Sequence, residues 1–146
     1  MLRFTKRADY GLMAIHYIAI QGGAEAGAVN AKRIAEKFSI PPELLAKILQ
    51  RLAKQRLIVS QNGPKGGYIL ARRPMDITVG QVVRALEGPI NIVECLEEDS
   101  ECPQMARCNL RRPAQKIQAA ISQLLDTMSL AELVGNDVPE LMVIKA

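Results

Sequence analysis

The stretch Ser39-Ile40-Pro41-Pro42-Glu43-Leu44-Leu45-Ala46-Lys47-Ile48-Leu49-Gln50-Arg51-Leu52-Ala53-Lys54 decides the fold. Two adjacent prolines cannot continue a helix interior, so Ser39–Pro42 reads as a turn. Proline is tolerated in a first turn and Glu43 suits the positive end of a helix, so a new helix opens there. Over about Pro42–Gln55, Leu44, Leu45, Ile48, Leu49 and Leu52 form one apolar stripe, and Glu43, Lys47, Gln50, Arg51 and Lys54 take the opposite side. Upstream, Asn30 can cap a short helix in which Ala31, Ile34, Ala35 and Phe38 share a face. Two short helices joined by a tight turn, the second basic on its outer face, describe a helix-turn-helix.

Directly downstream come two short extended runs, Leu57–Ser60 and Tyr68–Ala71, around Gln61-Asn62-Gly63-Pro64-Lys65-Gly66-Gly67. Asn-Gly and Gly-Gly mark turns, so the pair is a predicted hairpin, and a hairpin behind a helix-turn-helix is a wing. Gly63 and Gly66 let the backbone approach a phosphate closely, and Lys65 adds a charge at the tip.

The flanks complete the architecture. Helical character runs from about Thr5 to Gln21, with Leu12, Ile15, Ile18 and Ala19 on one face, and ends at Gly22-Gly23. Thr78-Val79-Gly80-Gln81 is a capping box that starts a helix carrying Val79, Val82, Val83 and Leu86 and stopping at Gly88-Pro89. Ile90–Cys108 lacks periodicity. From about Arg112 to Ser129, Ile117, Ile121, Leu124 and Met128 are spaced four, three, four, a coiled-coil type of seam that a two-fold dimer would bury. Ser129–Val134 can add one more turn. The expected fold class is mainly α with a small β-hairpin: a winged helix-turn-helix over 1–88, a cysteine sensor loop over 89–111, a dimerisation helix region over 112–134 and a tail over 135–146.

Charge divides along the same line. Met1–Arg73 holds thirteen Lys/Arg against four Asp/Glu, and Pro74–Ala146 holds six against eleven. A basic half joined to an acidic half points to a polyanion-binding module and a separate control module. Aromatics are few (Phe4, Tyr10, Tyr17, Phe38, Tyr68) and tryptophan is absent, which favours duplex over single-stranded nucleic acid. Arg3, Lys6 and Arg7 could hold flanking phosphates, as could Lys32 and Arg33. No apolar run approaches the roughly 18 residues of a membrane span, and the basic start lacks the apolar stretch of a signal peptide; no membrane partner and a cytoplasmic location are expected. No catalytic constellation is visible, so the chain is not expected to be an enzyme.

The only cysteines are Cys95, Cys102 and Cys108, within 14 residues of one another. An odd number in such a chain argues against a disulfide framework, and the spacing suits one metal centre held by a loop. Thiolates are the usual ligands of iron–sulfur clusters, here 2Fe–2S or 4Fe–4S; zinc, or thiol–disulfide chemistry without metal, is the alternative, and an iron–sulfur redox enzyme a distant third.

The residues Leu2–Tyr10, Leu45–Leu57, Gly63–Tyr68, Ile77–Pro89 and the three cysteines resemble the bacterial winged-helix repressors that include the iron–sulfur cluster assembly regulator IscR and the nitric-oxide-sensing repressor NsrR. The resemblance runs to about Leu133. It implies a homodimeric repressor that reads an operator in double-stranded DNA with Lys47, Gln50, Arg51 and Lys54, under the control of an iron–sulfur cluster, with genes of cluster assembly or of redox and nitric-oxide stress as targets. This loop has six residues between its first two cysteines where the family has five. The family's ligating histidine falls at Arg111, which cannot ligate. Other members use an acid of the partner's first helix, and that position is Asp9; His16 and the loop acids Glu94–Glu101 are the alternatives.

Overall fold

The computed structural model describes residues 3–22, 26–97 and 101–135. Helix α1 spans Lys6–Gln21; Thr5 caps it, its hydroxyl accepting from the Ala8 amide. Helices α2 (Ala31–Phe38) and α3 (Pro42–Lys54) form the helix-turn-helix. Asn30 caps α2 through the Lys32 amide, and Pro42 sits in the first turn of α3 as the sequence suggests. Between them Ser39 takes φ 53°, which lets the Ile40 amide reach back to Ala35 O at 3.0 Å and buries Ile40.

Helix α3 ends in the same way. Leu57 N donates to Leu52 O and Arg56 N to Ala53 O, both at 3.0 Å, with Arg56 at φ 59°. This two-bond closure satisfies the last carbonyls and turns the chain into the wing. Strand β1 (Ile58–Gln61) pairs antiparallel with β2 (Gly67–Leu70) in the register Ile58–Leu70 to Gln61–Gly67. Gly63, at φ 110°, supplies the left-handed residue of the loop. Val29 and Tyr68 exchange two 2.9 Å backbone bonds, so the segment before α2 pins the base of the wing. A Cβ at Gly67 would stand 2.2 Å from Val29 O, so this pinning requires a glycine.

Helix α4 (Val79–Glu87) starts with the reciprocal Thr78–Gln81 capping box and ends at Gly88, φ 76°. Helix α5 (Arg111–Thr127) follows the cysteine loop, and α6 (Leu130–Gly135) returns to the body. That return is fixed by Val79 N to Met128 O at 2.9 Å, Leu130 N to Ile77 O at 2.7 Å and burial of Leu130 in the main core. One core is built from α1, α3, α4 and the Ile34, Leu57 and Ile77 side chains, and among the described residues it encloses no polar or charged side chain. Leu45, Ile48, Leu49 and Leu52 of the expected α3 stripe are buried, with Leu44 partly so.

Two readings shift. The buried face of α1 is Ala8, Gly11, Ala14, Ile15 and Ile18; Leu12 and Ala19 are only partly covered, because small residues let α4 come closest. The α5 seam divides: Ile121 and Met128 are partly covered by the body of the chain, whereas Ile117 and Leu124 stay 49% and 48% exposed. Leu110, seven residues before Ile117, is 57% exposed and extends the uncovered row. Glu98 and Asp99 of the loop and residues 136–146 of the tail lie outside the described residues.

Candidate DNA-binding face and cysteine loop

The outer face of α3 is as the amphipathic pattern requires. Lys47, Gln50, Arg51 and Lys54 are exposed, and with Leu44, Ile48 and Arg7 of α1 they line one groove of about 500 Å³. Four cations and one amide therefore share a concave strip, a surface matched to a polyanion. Lys65 and Gly63 are exposed at the wing tip, with Gly66 partly covered.

The remaining basic residues are spread out. Lys32 and Arg33 are exposed on α2; Lys32 borders a separate, mostly apolar hollow with Ala31, Ala35 and Pro42. The Arg33 guanidinium lies 5.8 Å from the Tyr17 ring and the Lys6 ammonium 5.8 Å from the Tyr10 ring, so both also make cation–π contacts within the chain. Arg3 is exposed at the mouth of a second cavity, of about 700 Å³, walled by Phe4, Val83, Ile90, Ile92, Ile121 and Leu125. That cavity lies where α1, α4, α5 and the cysteine loop meet.

Arg51 is not a free side chain. Its Nη1 donates to Leu86 O at 2.8 Å, and Arg7 Nη1 donates to the same oxygen at 3.3 Å. The last turn of α4, where the cysteine loop begins, is thus bonded to α3. A second clamp holds the loop to α5: the Ile92 amide donates to Gln118 Oε1 and Gln118 Nε2 to Asn91 Oδ1, each at 3.1 Å. Neither link has a signature in the sequence, since each joins residues more than 25 apart through a backbone group or an unremarkable amide.

All three cysteines are free. Cys95 is partly covered in a single 3-10 turn, Glu94–Leu96; Cys102 is partly covered and Cys108 exposed, its sulfur accepting from the Leu110 amide at 3.4 Å. Three unoxidised thiols on one loop are a donor set that fits an iron–sulfur cluster. Within the one chain, no three His, Cys, Asp or Glu side chains among the described residues come close enough to hold an ion. Asp9 is partly covered on α1 and joins no such group. His16 has a structural partner: its Nε2 donates to Leu133 O at 3.3 Å, tying α1 to α6. No helix of the described residues is long and apolar enough to cross a membrane.

Comparison with known proteins agrees with this anatomy. A family model described as "Rrf2: Iron-dependent Transcriptional regulator" matches residues 4–136. Protein rrf2 of Nitratidesulfovibrio vulgaris is 38% identical over 135 residues, covering 92% of this chain and 89% of its own. The HTH-type transcriptional regulator NsrR of Bacillus subtilis is 32% identical over 147 residues, covering 99% of each. Among solved structures, CymR, the global cysteine regulator of B. subtilis, superposes with a TM-score of 0.74 at 30% identity, over 93% of this chain and 98% of that one. T. potens IscR does so with a TM-score of 0.72 at 30% identity, over 99% and 94%. These relatives are regulators rather than enzymes. The chain belongs to the Rrf2 family of winged-helix, DNA-binding transcriptional regulators.

Proposed function

We propose that this regulator is a homodimeric repressor that binds a duplex operator and is controlled by an iron–sulfur cluster on Cys95, Cys102 and Cys108. The observation that carries the reading is the junction at Leu86: the last turn of α4, which leads into the cysteine loop, is hydrogen-bonded to Arg51 of α3. A change in the loop therefore has a physical route to the DNA-binding face. An allosteric coupling of about 1–3 kcal/mol would alter operator affinity about 5–150-fold.

In this reading α3 enters the major groove with Lys47, Gln50, Arg51 and Lys54, and the wing tip at Gly63, Lys65 and Gly66 meets the backbone. Arg3, Lys6, Lys32 and Arg33 hold flanking phosphates. Residues 112–134, together with the cap residue Leu110, pair the two copies through the row Leu110, Ile117 and Leu124, whose exposure in a single chain supports that interface. Asp9 of the partner's α1 supplies the fourth ligand. When bound, the cluster supplies a centre that reacts with oxygen, nitric oxide or thiols.

The second reading is control by thiol–disulfide chemistry, without metal. Likeness to the regulator CymR, which has also been solved in an oxidized form, favours it. Purification under nitrogen, followed by iron and sulfide analysis and visible spectroscopy, decides between them. Brown protein with matched iron and sulfide supports the cluster; colourless protein whose operator binding responds to a disulfide-forming oxidant supports the thiol switch.

A further inference from the structure

The last turn of α4 gathers more charge than packing requires. Arg51 and Arg7 donate to the same carbonyl, that of Leu86, at 2.8 and 3.3 Å. The next residue, Glu87, has Oε1 at 3.8 Å from Arg7 Nε and accepts from the Thr5 hydroxyl. Two guanidiniums are thereby held beside each other against their mutual repulsion. Both border the groove that Lys47, Gln50 and Lys54 share. Each guanidinium has five N–H donors in a planar fork, and the contacts above use only part of them. Paired forks opening onto a cationic groove are suited to a tetrahedral oxyanion.

We propose that Arg7 and Arg51 together seat one phosphate of duplex DNA, and that Glu87 competes internally with that phosphate for Arg7. The proposal rests on the DNA-binding reading above. Its consequence is directional. Glu87 is followed at once by Gly88, Pro89 and the loop that carries Cys95. Movement of the loop that draws Glu87 from Arg7 strengthens phosphate binding; movement that presses Glu87 onto Arg7 weakens it. The Arg7–Glu87 pair has side chains 41% and 27% exposed, so its strength falls in the range of a partly solvated ion pair.

The test uses the full reduced chain and a random-sequence duplex, with affinity read by fluorescence anisotropy across a salt series. Four proteins form a cycle: the natural chain, Glu87→Gln, Arg7→Gln and the double variant. Glutamine at 87 keeps an acceptor for Thr5 while removing the charge. Glu36→Gln, an exposed acid of α2, is the control for a uniform change of charge. Glu87→Gln is expected to bind about two- to fivefold tighter. Arg7→Gln is expected to reduce the slope of log affinity against log salt by about one per bound protomer, and to abolish the gain from Glu87→Gln. The proposal is overturned if Glu87→Gln leaves affinity unchanged, if Glu36→Gln gains as much, or if the gain persists without Arg7. Should Arg7→Gln fail to fold, the comparison of Glu87→Gln with Glu36→Gln decides alone. A natural chain that shows no salt-dependent duplex binding overturns the DNA-binding reading together with this one, whereas normal binding without Arg7–Glu87 coupling overturns only this one.

Discussion

Gly11 faces Leu86 so closely that a Cβ on Gly11 would stand 2.1 Å from Leu86 Cδ1, with Ile48 Cγ2 at 3.5 Å beyond it. Leu86 is 1% exposed and has no solvent to turn into. Gly11→Ala therefore forces either a rotamer change in the core or a shift of α4 away from α1. The expected cost is about 1–3 kcal/mol, somewhat offset by the better helix propensity of alanine. Urea unfolding followed by circular dichroism measures it. A variant as stable as the natural chain would mean that the α1–α4 contact is looser than the packing implies.

That contact also explains what the sequence hid. Apolar spacing puts the inner face of α1 on Leu12, Ile15, Ile18 and Ala19; Ile15 and Ile18 are buried there, but close helix approach needs small residues, so Ala8, Gly11 and Ala14 complete the face in place of Leu12 and Ala19. Caps and turns were legible because each is a local hydrogen-bond device with its own residue chemistry: Asn30, the Thr78–Gln81 box and the glycines of the wing all stand where such chemistry places them. The α3 cations were legible from periodicity. The Arg51–Leu86 bond was not, because a backbone carbonyl 35 residues away leaves no mark on composition. Nor does any pattern announce that Gln118 clamps Asn91 and the Ile92 amide.

In the proposed reading the α3 face separates two kinds of DNA contact. Gln50 is uncharged and exposed between Lys47 and Arg51, so the base-edge contact proposed for it would be hydrogen bonding without counterion release. Gln50→Ala should cost about 1–3 kcal/mol of operator affinity and leave the salt slope unchanged. Lys54→Ala should weaken operator and random duplex alike and lower the slope by about one per protomer. Gel shift and anisotropy on both duplexes read the difference. Equal loss on both duplexes for Gln50→Ala would remove it from base recognition.

The uncovered row on α5 makes a separate prediction. Ile117 is about half exposed in the single chain, so a charge there need not disturb the subunit's own core. Ile117→Glu should give folded monomers, because a glutamate buried in a two-fold seam would lose its hydration on both copies. Sedimentation velocity and thermal unfolding distinguish this from misfolding. A folded Ile117→Glu dimer would place the interface away from Leu110, Ile117 and Leu124. Operator affinity should fall with the dimer, since each half-site then binds alone.

The fourth cluster ligand is the sharpest test of the proposed control. Three cysteines supply three ligands, the position of the family's histidine is Arg111, and His16 already donates to Leu133 O. Within one chain Asp9 joins no group of three metal-binding side chains among the described residues, and the proposed ligation crosses to the other subunit's loop. Each Cys→Ala substitution should abolish iron and sulfide binding, largely or wholly. Asp9→Ala should still bind both, because three thiolates remain, but with an altered visible spectrum and faster loss in air. An oxygen donor holds iron less firmly than thiolate and is the natural point of exchange. The dependence on dimerisation is the discriminating arm: in the Ile117→Glu monomer, the Asp9→Ala substitution should make no further difference to spectrum or lifetime. If Asp9→Ala leaves the dimer's spectrum and lifetime as they were, the fourth ligand is a loop acid or solvent, and the cluster does not bridge the two subunits through α1.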